Sequence, residues 1–153
     1  PSYLTARPTR DLRTAAWQQL TVQWWDEARS KYELYTSELV IAESSQGDSD
    51  AAQRRLAALR GIPELKVDDG VEALAAKLLA EGGFPKNAEV DALHVALAAV
   101  HRIDLLLTWN CRHINNAETK PLIRSICAAA GYACPEICTP QELLPEGTND
   151  VRR

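Results

Sequence analysis

The stretch DALHVALAAVHRIDLLLTWNCRHI, Asp91 to Ile114, decides the fold. Its first part is almost wholly apolar. A helix of that composition has no face to give to water, so it must be covered on both sides. A short apolar run follows, Leu105-Leu106-Leu107, and it turns polar at once with Thr108, Asn110 and His113. A buried helix feeding a strand with a polar C-terminal end is how open α/β sheets build sites. Asp91 stands at the mouth of the helix. A carboxylate there must be capped, paired or metal-bound. Read alone, it is an N-cap or first-turn acid that satisfies helix N–H groups. His94 lies three residues on and shares the face of Asp91. Taken alone, His94 reads as a satisfied core histidine, and Asn110 as the start of an Asx-turn.

Outward from this stretch, strands alternate with helices. Thr9 is the expected cap of a first helix running through about Ser30, with Leu12, Ala16, Leu20 and Trp24 on one apolar face. Trp17 and Trp25 widen that face, which reads as core or dimer interface. Tyr32 to Thr36 alternates as a short strand, and Ser37 caps a helix that Gly47 ends. Asp48 or Ser49 opens another helix, closed by Gly61. A strand is expected over Ile62 to Val67, then a helix after Asp68-Asp69-Gly70. Asn87 is the expected cap of the apolar helix. Lys120 to Ala130 reads as helix, Ala133 to Cys138 as strand, and Thr139-Pro140 as the start of a short last helix. This alternation predicts an α/β fold with a parallel sheet covered on both faces. One domain is expected over residues 1–146, with a polar tail at 147–153.

Totals narrow the function. The formal net charge of −4 excludes a generic polyanion binder, so nucleic acid would have to meet a local basic patch. Candidates are Arg7, Arg10 and Arg13 near the start, and Lys120 and Arg124 after the polar strand end; Arg54 and Arg55 are expected to face solvent. No run approaches the roughly 18 apolar residues of a membrane span. Cys134 and Cys138, four apart in a strand, would be about 13 Å apart at about 3.3 Å per residue, too far for a disulfide. The expectation is reduced thiols in a cytoplasmic protein.

Glu43 adds a second acid. It falls on the second turn of a helix whose neighbours Leu39 to Ala42 are apolar, while Glu38, in the first turn, is expected to be the exposed one. Carboxylates and an amide oxygen converging on one sheet edge would suit Mg²⁺ or Mn²⁺, with Asn110 offering an oxygen and His113 a nitrogen. Such a site activates water for phosphodiester hydrolysis. A zinc set from Cys111, His113, Cys134 and Cys138 has no common spacing.

These residues carry a resemblance. PSYLTARPTRDL, SELVIAESSQGD, the Asp91–Ile114 stretch and ICTPQELL resemble, in order, the PIN-domain proteins of the VapC-like toxin ribonuclease group. The resemblance implies a three-layer sandwich, a central parallel sheet flanked by helices. It also implies a metal-dependent endoribonuclease that acts as a toxin, is neutralised by a small antitoxin and forms a homodimer. On this reading Glu43 and Asp91 are catalytic metal ligands, Thr108 and Asn110 match the family's strand-end motif, and His113 falls where relatives carry another acid. The family's first acid ends its first strand. On this reading that strand lies upstream of Pro1, on the order of ten residues.

Overall fold

The computed structural model describes residues 1–145; the expected tail at 147–153 lies outside them. Helices α1 (Ser2–Thr5) and α2 (Leu12–Gln23) open the chain, and α2 runs on as a π-helical turn, Trp24–Ala28, and a 3₁₀ turn, Arg29–Lys31. Then come β1 (Thr36–Ser37), α3 (Glu38–Ser44), α4 (Ser49–Leu59), β2 (Glu64–Leu65), α5 (Asp69–Ala80) and α6 (Glu89–Val100). The chain continues with β3 (Leu105–Leu107), α7 (Lys120–Ala129), β4 (Glu136–Cys138) and a 3₁₀ turn, Pro140–Leu143.

The core forms where α6 packs on α5. Ala92 and Val95 to Ala99 of α6 are buried, with Val71, Leu74, Ala75 and Leu78 of α5. Ile123, Ile126 and Cys127 of α7 and Ile137 of β4 close the other side. The apolar helix is thus covered as its composition requires. Gly83 lets the α5–α6 connection pass close to α7. A Cβ there would stand 3.1 Å from the Leu78 carbonyl oxygen and 3.2 Å from Ile126 Cδ1.

All strand pairing is parallel. β1 pairs with β2, Thr36 opposite Glu64, and β3 with β4, Leu106 opposite Ile137. The single central sheet that was expected is not joined among the described residues, where two separate two-stranded sheets stand instead. The strands are also shorter than expected, two or three residues each, because no strand pairs along the free edges of β1 and β3 to extend the ladder.

Several local signals operate as read. Ser37 accepts the Val40 N–H, Asp48 the Ala51 N–H and Asp68 the Val71 N–H, each capping its helix. Others differ. Asp11, not Thr9, caps α2, accepting the Thr14 N–H at 2.8 Å, while Thr9 accepts the Asp11 N–H. The predicted face of α2 is not a core face: Leu12 is 87% exposed, and of its four residues only Trp24 is buried. The helix lies at the rim, against α1 and the last 3₁₀ turn, and has no large partner to bury it. The cap position of α6 is Ala88, with no side-chain cap. Ala88 packs into the core and leaves Asn87 exposed. Arg54 is exposed as expected, while Arg55 is half-buried and binds the carbonyls of Ser44 and Gln46. All four cysteines are free thiols.

Two stability predictions follow from these contacts. Leu78→Ala removes a fully buried side chain from the α5–α6 contact. It should cost about 2–5 kcal/mol, read as a lower midpoint in urea denaturation. Glu142 accepts both the backbone N–H and the hydroxyl of Thr139, at 2.6 and 2.9 Å. The N–H bond is the main reason its carboxyl titrates below the ordinary glutamate value. A lowered folded pKa adds stability that is present above the unfolded value, near 4.5, and lost as pH falls through the folded one. Glu142→Gln should therefore lower stability above the unfolded value, neutral and alkaline pH included, and so flatten the acid limb of a stability–pH curve.

Candidate active site

The geometry centres on Asp91. It lies in the first turn of α6, yet its side chain turns away from the helix N–H groups. Asn110 Nδ2 donates to Oδ1 at 3.0 Å, and His113 Nδ1 meets Oδ2 at 2.8 Å. Both donors come from the loop after β3. Thr108 shapes that loop by accepting the Asn110 N–H at 3.0 Å. Asn110 then folds the next turn, its Oδ1 accepting the His113 N–H at 3.1 Å. Asn110 thus makes the Asx-turn and faces the acid at once, its oxygen inward to the loop and its nitrogen to Asp91. The site is partly open: the Asp91 and His113 side chains are 22% and 25% exposed.

Glu43 reaches the same end of α6 by another route. Its Oε1 lies 2.9 Å from His94 Nε2. His94 stands one turn along α6 from Asp91, so the two acids meet one face of one helix. From sequence, His94 was placed on the face of Asp91 and read as a satisfied core histidine; the structure instead pairs it with Glu43. The hydrogen bond from His94 is the largest cause holding the Glu43 carboxyl below the ordinary glutamate value, with the His94 charge adding to it against the opposing effect of partial burial. Glu38 is not the exposed acid of the pair. It accepts the Val67 N–H, and its side chain is 38% exposed against 52% for Glu43.

The basic candidates divide. Arg124 is paired with Glu136 at 2.8 Å, and Lys120 reaches the Ile137 carbonyl. Arg7, Arg10 and Arg13 form no ion pair among the described residues. A cavity of about 940 Å³ lies elsewhere, between α4, β1 and β2, and none of the site residues lines it.

A family model described as PIN domain matches residues 18–118. The chain belongs to the PIN domain family. The matched segment holds Glu43, Asp91, Thr108, Asn110 and His113 together. No curated protein and no solved structure matches the chain. PIN domains are generally metal-dependent nucleases, which makes the fit of a cation the question for this PIN domain. Among the described residues no group of three or more His, Cys, Asp or Glu is placed to hold a metal ion, the zinc set included. The two carboxylates still suit a hard divalent cation. An ionised carboxylate has about four acceptor positions; Asp91 uses one on each oxygen and Glu43 one in all. Such a cation is commonly held by one or two carboxylates, with substrate phosphate and water completing its shell. Asn110 and His113 orient Asp91 in this arrangement, while Asn110 Oδ1 accepts a single bond and only Nδ1 of His113 is engaged.

Asn110→Ala removes the donor to Asp91 and the acceptor of the His113 N–H together. At about 0.5–1.5 kcal/mol net for each bond, the expected loss is about 1–3 kcal/mol, read by chemical denaturation. A change in the emission of the neighbouring Trp109 should accompany it.

Proposed function

We propose that this PIN domain is a divalent-metal-dependent endoribonuclease that hydrolyses RNA phosphodiester bonds, with Mg²⁺ or Mn²⁺ as cofactor. The observation that supports this reading is the convergence of two acids on the N-terminal end of α6, Asp91 from the helix itself and Glu43 through His94. Glu43 and Asp91 would hold the cation. When bound, it supplies charge neutralisation at the phosphate and a more acidic water. The chain's own residues prepare for this. Asn110 and His113 grip both oxygens of Asp91 and fix its direction. His94 does the same for Glu43, and Thr108 holds the loop that carries Asn110. Arg7, Arg10, Lys120 and Arg124 are the proposed RNA contacts, with Arg7 and Arg10 the freer pair.

A toxin role, restraint by a small antitoxin protein and a homodimeric state belong to the same proposal. They rest on the resemblance of the Asp91–Ile114 stretch to VapC-like toxins, with the segments at Pro1–Leu12, Ser37–Asp48 and Ile137–Leu144 in support. A second reading is a non-catalytic PIN domain that binds RNA or protein. One observation favours it: each carboxylate is already paired with an imidazole.

Cleavage of single-stranded RNA in Mg²⁺ or Mn²⁺ separates the two. Asp91→Asn and Glu43→Gln should each slow it by about a hundredfold or more, the scale of losing one preorganised electrostatic group, and EDTA should stop it. Cleavage that survives Asp91→Asn sinks the enzyme reading. RNA binding by the wild type without any cleavage establishes the second.

A further inference from the structure

Next to the acids lies an aromatic stack that the chemistry above does not use. Trp109 sits between Thr108 and Asn110 in the chain. Its ring stacks on Trp17, with centroids 5.3 Å apart and planes 17° from parallel. Its indole N–H donates to Thr21 Oγ1 at 2.8 Å, which fixes the ring against α2. Trp17 also meets Tyr3, at 5.9 Å, and the Arg13 guanidinium, 5.8 Å from its centroid. None of Tyr3, Trp17 and Trp109 belongs to the buried core, whereas Trp24 is buried. Arg7, Arg10 and Arg13 are all exposed, and the Arg7 carbonyl is tied to α2 by Gln18.

We propose that Trp109, Trp17 and Arg13 form a stacking platform for an unpaired base of single-stranded RNA, next to the Asp91 site. Three features point this way. Two indoles held parallel and partly open to water present a π-surface on which any base can stack. A guanidinium on the same ladder adds cation–π attraction and phosphate charge neutralisation. The main-chain step from Trp109 to Asn110 links the platform directly to the loop that orients Asp91. The platform therefore sets where a strand lies relative to the acids. It selects unpaired over paired nucleotides, because a base held in a duplex has its faces covered. The inference rests on the nuclease reading for its substrate class, but not on cleavage itself.

The probe is a pair of RNA oligomers of equal length, one with bases and one with abasic positions at its centre, titrated in EDTA. Phosphate contacts are the same for both, so the difference reports stacking alone. The wild type should bind the base-bearing oligomer about tenfold more tightly, and the gap should persist at high salt while both affinities fall. Trp109→Leu should close the gap, and Trp109→Phe, which keeps a ring, should retain most of it. Arg13→Ala, an exposed change that does not endanger folding, should narrow it. Equal affinity for the two oligomers overturns the proposal. So does an unchanged gap in both Trp109→Leu and Arg13→Ala when circular dichroism shows them folded. A gap without cleavage leaves the platform standing and removes the nuclease reading; cleavage without a gap does the reverse.

Discussion

The lack of a polar face on α6 constrains everything else. A helix whose middle is Ala, Leu and Val can persist in water only if other elements surround it. Here α5 packs along it and β3 lies against it, with Ala92, Val95 and Ala96 fully enclosed. That packing fixes the position and direction of α6, and with it the place where the helix begins. Asp91 stands at this beginning, at the edge of the covered region, and is only partly exposed. A carboxylate in such a place needs donors. The loop after β3 provides two, and the helix–strand order Asp91 to Leu107 brings that loop back to the start of the same helix.

The consequence is a site held from two sides. From one side, Asn110 and His113 bind Asp91. From the other, His94 reaches across to Glu43, 51 residues earlier in the chain. Both acids depend on a neutral or cationic nitrogen from a rigid neighbour, and both keep acceptor positions to spare. This arrangement suits a carboxylate that must stay ionised and keep its direction until a cation and a phosphate arrive. Unsupported glutamate and aspartate side chains would have to give up rotamer freedom at that moment.

Much of this was legible because the signals were local. The helix mouth at Asp91, the polar turn at Thr108 and Asn110, and the caps at Ser37, Asp48 and Asp68 each involve residues within a few positions of one another. The sequence pattern therefore carries them directly. The unread part was tertiary. Nothing near His94 says that its partner is Glu43, and nothing near Trp17 says that it stacks on Trp109. Periodicity assigned Leu12 to a buried face, but periodicity marks a face and does not say whether anything packs on it. The strands were over-read for a related reason. β-prone composition marks where extended chain is favoured, but the ladder reaches only as far as a neighbour is present to pair with it. With the edges of β1 and β3 unpaired among the described residues, two or three residues of each strand meet that condition.

Charge raises the same distinction between whole and part. A formal net charge of −4 would repel a polyanion at long range. At physiological ionic strength, however, fields decay over about 8 Å, so a phosphate close to the surface responds mainly to charges within that distance. Some of the acidic residues are engaged in pairs or caps: Glu136 with Arg124, Glu81 with Lys77, Glu64 with Lys66, Asp48 and Asp68 at helix starts. Arg7, Arg10 and Arg13 have no such pairing, and the nearest acid along the chain, Asp11, is turned onto the Thr14 N–H. The α2 entrance thus gathers three exposed arginines, although the sum over the chain is negative. Trp17 on α2 and Trp109 in the β3 loop stand between these arginines and the loop that orients Asp91 in the chain of contacts, Arg13 over Trp17, Trp17 on Trp109, and Asn110 to Asp91.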